Sequence, residues 1–230
     1  MGALHTLVAS RQVLYLGISD APAWLVVKAN AYAREHNLTP FSVYQGRWGA
    51  ACRDFEREIV PMCLDEGMAM APWGVLGGGG FKKEGGEEKD EGRKITIGRT
   101  GKEETVSAVL RTIAEKRDTL PTSVALAYIM SKAPYVFPIL GGRKVSHLEG
   151  NIAALGLRLT DEEKREIDGA YGFEIGFPHD FSNPAGTMVL GPQNNAMNEC
   201  YGTFDWVEGP KAIEPWVEGS DDKRVRPFGE

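Results

Sequence analysis

The sequence predicts an α/β protein made of four parallel β/α units, and three observations carry that prediction. Short runs rich in β-branched and aromatic residues alternate four times with stretches of helical periodicity. Helix-start signals follow these runs: Asp20 two residues before Pro22, and the capping box Thr160-Asp161-Glu162-Glu163. Composition is that of a folded domain with a core, 42% hydrophobic and 25% charged. Four units make either an open doubly wound sheet or half of a (β/α)8 barrel, and a full barrel takes about 250 residues.

Taken in order, Gly2 to Arg11 reads as the tail of a helix and Gln12 to Ser19 as a buried strand. Asp20 and Pro22 start a helix that runs to about His36, and Phe41 to Gln45 is the second strand. Phe55, Ile59, Met62 and Cys63 recur at helical spacing, so 55–66 is a helix, and Met68 to Trp73 is the third strand. Four glycines, Gly77 to Gly80, open a Lys/Glu/Gly stretch to about Lys102 that reads as a flexible solvated insertion. Helices follow at about 103–116 and 122–132, then the strand Tyr135 to Ile139 and a helix from Val145 to Ala154. The capping box starts a last helix to about Tyr171. From Gly172 the Gly/Pro/Asn-rich sequence predicts an irregular tail docked through Trp206 and Trp216. The domain division expected is 1–178 for the β/α body and 179–230 for the tail.

Charge and cysteine usage exclude several classes. A net charge of −6 and a pI near 5.4 argue against a nucleic-acid surface, though not against a local basic pocket. Cys52, Cys63 and Cys200 are an odd number without C-x-x-C spacing, which predicts reduced thiols, no metal site and a cytoplasmic setting. No apolar run nears the roughly 20 residues that span a bilayer, and the N-terminus lacks the basic start of a secretory signal, so a soluble protein with no membrane partner is expected.

Val136-Phe137-Pro138-Ile139-Leu140-Gly141-Gly142-Arg143-Lys144, with His147 and Asn151 beyond, reads as strand, Gly-Gly turn, basic pair and helix start. Such a turn aims backbone N–H groups and a helix N-terminus at a phosphate, or it is an ordinary connection with solvated cations.

Four motifs then recur in order: Leu14-Tyr15-Leu16-Gly17-Ile18-Ser19-Asp20 with Ala23-Trp24; Val43-Tyr44-Gln45-Gly46-Arg47-Trp48; Ala71-Pro72-Trp73-Gly74-Val75-Leu76-Gly77-Gly78-Gly79; and Phe137 to Lys144. Together they resemble the aldo-keto reductases, in particular the fungal aryl-alcohol dehydrogenase and norsolorinic acid reductase branch, from about Leu4 to about Pro178. The resemblance implies the C-terminal half of a (β/α)8 TIM-type barrel, four β/α units plus extra helices and an irregular tail. It also implies NADP as cofactor, held at the C-terminal ends of the strands.

Residue by residue, the resemblance places Ser19 and Gln45 on the nicotinamide carboxamide, with Asp20 where many relatives carry Asn. A carboxylate there accepts from the amide NH2 and cannot donate. It places Trp73 on the nicotinamide ring, Leu76 and Gly77 along the pyrophosphate, Arg143 on the adenosine 2′-phosphate, and Asn151 on the adenine. His147 stands where relatives carry Arg or Gln, and Gly150 replaces a common acidic residue.

The family's catalytic Asp, Tyr, Lys and His belong to its first four β/α units, and this sequence has no counterpart of them, so no catalytic residue is assigned. A half barrel also leaves two strand edges and an apolar face uncovered. A homodimer about the barrel axis is therefore expected, with a partner carrying the first half, or the long C-terminal tail folded over the exposed edge, as alternatives. The function implied is reduction of an aromatic aldehyde or polyketide ketone in fungal secondary metabolism, once the barrel is completed. Two alternatives stay open: a non-redox dehydratase, cyclase or isomerase on a half-barrel dimer, and a catalytically inactive cofactor-binding protein.

Overall fold

Four chain segments run side by side and parallel, and among the described residues helices pack on the face that carries Tyr44 and Met70. The structure is a computed structural model that describes residues 1–81, 101–142, 144–183, 188, 200–202, 205, 207 and 209–215. Residues 82–100, most of the insertion expected to run to about Lys102, lie outside them, as do Arg143, Trp206 and Trp216.

The order is α1 (Gly2–Ala9), β1 (Gly17–Ser19), α2 (Ala23–Glu35), β2 (Val43–Arg47), α3 (Phe55–Asp65), β3 (Ala69–Trp73), a 3-10 turn at Gly77–Gly79, α4 (Glu103–Lys116), α5 (Pro121–Lys132), α6 (Val145–Ala153), α7 (Asp161–Asp168) and α8 (His179–Ser182). The three strands lie in sequence order, all parallel, with Ser19 level with Gln45 and Arg47 level with Trp73. Sequential parallel neighbours with a helix in each connection are the half-barrel arrangement expected from sequence.

The expected fourth strand, Tyr135 to Ile139, pairs with β3 through a single parallel bridge, Met70 to Val136. Met70 N–H donates to Tyr135 O at 2.9 Å, Phe137 N–H to Met70 O at 2.7 Å, and Ile139 N–H to Pro72 O at 2.8 Å. The rung between the last two would need an N–H from Pro72, which has none. The segment is therefore extended and in register, but one bond short of a continuous ladder.

The first strand is shorter than expected. Gln12 and Val13 donate back to Leu7 O at the end of α1, and Leu14 and Tyr15 are 79% and 76% exposed, so only 17–19 pair with β2. Asp20 does not cap α2. The N-cap is Pro22, and Asp20 sits at φ 50° in the left-handed region. The capping box forms as read, with Thr160 Oγ1 accepting from Glu163 N–H at 3.2 Å and Glu163 reaching back to Thr160 N–H at 2.8 Å. Where the tail begins, Phe173 is held between the guanidiniums of Arg53 and Arg57, at 4.4 and 4.9 Å from its ring centre.

The core lies between sheet and helices. Tyr44 and Met70 point into it from the strands, while α4 brings Val106, Leu110 and Ile113 at i, i+4, i+7 and α5 brings Leu126 and Ile129. A charged cluster is buried at its margin. Glu56, with no exposed surface, takes both prongs of Arg53 (3.0 and 2.8 Å), the indole N–H of Trp48 (3.2 Å) and Lys132 (3.4 Å). Asp168 accepts from Tyr128 Oη at 2.5 Å and Lys132 Nζ at 2.9 Å, and Arg53 lies 3.1 Å from it. Charges out of water need such partners on every side.

Candidate functional site at the strand ends

Side chains alternate between the faces of a sheet, so the register decides which residues share one. Tyr44 and its neighbours in register, Ile18 and Met70, face the helices. The opposite face therefore carries Ser19, Val43, Gln45, Arg47, Ala71 and Trp73, with Phe137 and Ile139 beside them through the Met70–Val136 bridge. Ser19 and Gln45 are exposed on it and Trp73 is half-buried. In a closed barrel this face is the interior, and its C-terminal end is the mouth where catalytic and cofactor groups collect.

Ser19 and Gln45 stand side by side because β1 and β2 pair them, and the next rung, Asp20 N–H to Gln45 O at 3.1 Å, locks the ends together. Ser19 Oγ donates to Asp20 Oδ2 at 3.0 Å. That fixes the hydroxyl proton and leaves the Ser19 oxygen facing outward as an acceptor. The Gln45 side-chain amide has no protein partner among the described residues, so both its donor and its acceptor are open. Trp73 is held through its backbone: Trp48 N–H donates to Trp73 O at 3.2 Å, and Trp48, wholly buried, is fixed in turn by Glu56.

The glycine turn after β3 closes on itself, with Gly77 N–H to Gly74 O at 3.0 Å, Gly79 N–H to Leu76 O at 3.3 Å and Gly80 N–H to Gly77 O at 3.0 Å. Gly77 and Gly78 take φ 64° and 59°, which side-chain-bearing residues adopt only with strain. With those N–H groups in use, the turn presents mainly bare backbone. His147 and Asn151, one turn apart on α6, are both half-buried and share a face. Arg143 lies outside the described residues, between Gly142 and Lys144.

The structure thus brings Ser19, Gln45 and Trp73 to one end of one face. Arg47 joins them there and was passed over in the sequence, although its two-residue spacing from Gln45 in a strand gives the signal. Its Nε donates to Cys52 Sγ at 3.0 Å. The Glu56 cluster was also missed, because its members are scattered from Trp48 to Asp168 and only the fold collects them. A groove of about 490 Å³ lined by Trp24, Val27, Pro61 and Met62 lies between α2 and α3.

The Aldo/keto reductase family model matches residues 1–171. The chain belongs to that family. Among curated relatives, this aldo/keto reductase chain is 51% identical over 225 residues to norsolorinic acid reductase B of Dothistroma septosporum, covering 94% of this chain and 57% of that one. It is 52% identical over 215 residues to an aryl-alcohol dehydrogenase of Pestalotiopsis microspora (94% and 56%), and 57% identical over 181 residues to norsolorinic acid reductase A of Aspergillus parasiticus (79% and 46%). The chain therefore spans about half the length of these relatives. A solved thermostable aldo-keto reductase, crystallised with the inhibitor epalrestat, superposes with a TM-score of 0.59 at 20% identity, over 74% of this chain and 53% of its own. That likeness shows the fold, a partial TIM barrel. Among the described residues, no helix is long and apolar enough to cross a membrane.

Proposed function

We propose that this chain is the cofactor-holding half of an NADP(H)-dependent reductase acting on an aromatic aldehyde or polyketide ketone. The observation that carries the reading is the placement of Ser19 and Gln45 in register at the strand ends, with the Gln45 amide open and Trp73 on the same face. A carboxamide presents one acceptor and two donors. Gln45 offers both kinds of partner, and the Ser19 oxygen, its own proton given to Asp20, accepts a carboxamide N–H. The half-buried Trp73 supplies a flat apolar surface beside them, as a nicotinamide ring needs. NADP(H), where bound, supplies the hydride.

Arg143 would select the 2′-phosphate, with a charge-assisted bond of roughly 1.5–3 kcal/mol. His147 and Asn151 would face the adenosine from α6, and Leu76 and Gly77 the pyrophosphate. The names of two relatives, norsolorinic acid reductase and aryl-alcohol dehydrogenase, support that substrate class. Open aromatic and aliphatic surface at Phe137 and Ile139 suits a flat apolar substrate.

The test is quenching of tryptophan fluorescence by NADPH and by NADH. Saturable quenching by NADPH, weakened about tenfold or more in Arg143→Ala with NADH unaffected, is expected. Absence of quenching at near-millimolar NADPH would overturn the reading and favour non-redox chemistry at the same mouth.

A further inference from the structure

The loop between β2 and α3, Trp48 to Asp54, supplies none of the residues placed on the cofactor, yet it packs against the end of β3. Trp48 is wholly buried, and its ring, its indole nitrogen and its backbone are each held. The ring stacks on Phe55, 5.3 Å between centres and 14° between planes. The indole N–H, a donor that burial obliges to find an acceptor, goes to Glu56 Oε1 at 3.2 Å. The backbone N–H goes to Trp73 O at 3.2 Å. Beyond Trp48 the loop closes on itself, with Gly49 N–H to Cys52 O at 3.1 Å and Cys52 N–H to Gly49 O at 2.9 Å.

This closed loop is anchored through Glu56. The carboxylate has no exposed surface and also takes Arg53 Nε and Nη2 at 3.0 and 2.8 Å, with Lys132 Nζ at 3.4 Å. Arg53 reaches on to Asp168, 3.1 Å from its backbone oxygen and 3.1 Å from Oδ1, so the anchor is tied to α5 and α7. A buried carboxylate bonded by charged groups in this way cannot turn without stranding one of them.

Against β3 the contact is backbone on backbone. A Cβ at Gly49 would stand 3.3 Å from Gly74 O and 3.3 Å from Val75 Cα. Arg47 lays its Cγ against Gly74 as well, 3.4 Å from where a Cβ would stand, and its Nε is held by Cys52 Sγ at 3.0 Å. Gly74 takes φ 78°, so the chain turns sharply straight after Trp73. The Trp73 peptide, pinned through its carbonyl, therefore sets both the aim of the Trp73 side chain and the start of the glycine turn.

We propose that Trp48 and Glu56 are positioning residues of the cofactor pocket: Glu56, through the Trp48 indole, fixes where Trp73 and the turn after it are presented to NADP(H). This role rests on the nicotinamide site proposed above. Both residues act through Trp73, holding it to the roughly 0.5 Å that a binding constellation tolerates. The whole chain of contacts from Asp168 to Trp73 lies within the described residues.

The experiment follows the Trp73 indole by NMR in the full chain, its signal assigned with Trp73→Phe, first without cofactor and then through an NADPH titration. Trp48→Phe keeps an aromatic ring on Phe55 and removes the indole N–H. Gly49→Ala leaves Trp48 and Glu56 as they are and presses a methyl against Gly74 and Val75. Both should displace the Trp73 signal in the cofactor-free chain and weaken NADPH binding at least ~10-fold, with the circular dichroism unchanged. Ile129→Ala, wholly buried in α5, is the destabilised control. It should lower the urea midpoint while leaving the Trp73 signal in place and NADPH affinity within about 2-fold. A Trp73 signal unmoved by both variants overturns the proposal, as does NADPH affinity that falls no further in them than in Ile129→Ala. A response to Gly49→Ala alone assigns the aim of Trp73 to backbone packing and overturns the role of Glu56. In each of these cases a parent chain that binds NADPH keeps its cofactor site. A parent chain that binds none overturns the cofactor reading itself, and the proposal with it.

Discussion

The two faces of the sheet were built by the same strands and behave oppositely. Toward the helices, Tyr44 and Met70 are 3% and 0% exposed, packed against Phe55 and the α4–α5 layer. On the other face Ser19 and Gln45 lie open, and Phe137 and Ile139 show half of their surface. One face has what a stable domain needs, and the other has what a binding site needs: open polar groups amid apolar surface. The contrast teaches that folding and function are divided by parity here, even positions of β2 serving one and odd positions the other.

The sharpest way to break that comparison is at the margin of the packed side. Glu56→Ala strands Arg53, 6% exposed, without its main partner, and about 3–5 kcal/mol of stability should be lost in urea unfolding. A loss under about 1 kcal/mol would mean that the Asp168 carboxylate and water suffice. Next in size is a matched pair. Ile129→Ala, at a position with no exposure, should cost about 2–5 kcal/mol at any protein concentration. Ile139→Ala, about half exposed on the open face, should cost less than about 1 kcal/mol. Equal losses would erase the distinction between the faces.

Smaller effects sharpen the picture. Thr160→Ala removes one arm of the capping box and should cost about 1 kcal/mol. Asp168 gives a pH dependence. Burial raises its pKa, but Lys132, the Tyr128 hydroxyl and Arg53 outweigh burial and hold it below the usual carboxylate range. A carboxylate depressed in the fold contributes stability that is present above its unfolded pKa of about 3.9 and is lost as pH falls through the folded value. Acid unfolding of Asp168→Asn should therefore be flatter below about pH 4 than that of the parent chain.

Much of this was legible in the sequence because periodicity and capping are local. The helices at 55–65 and 103–116, the Thr160 box and the parallel order all follow from spacing within a few residues. What failed was non-local. Leu14 and Tyr15 look like strand interior, yet α1 recaptures the preceding backbone and leaves them bare. Asp20 looks like a cap, yet it turns to Ser19. Pro72, read as strand, also decides that its neighbour is one bond short of a ladder. On the open face, Ser19, Gln45 and Trp73 were picked out by motif, while Arg47 needed the register.

The most direct test of the central claim, that the open face at the strand ends is a nicotinamide site, is NMR of the Gln45 side-chain amide and the Trp73 indole during an NADPH titration. Both signals should shift saturably and together, with a Gln45→Leu chain losing at least ~10-fold in affinity. Shifts confined to Trp24 in the groove between α2 and α3, or none at either residue up to millimolar NADPH, would contradict it.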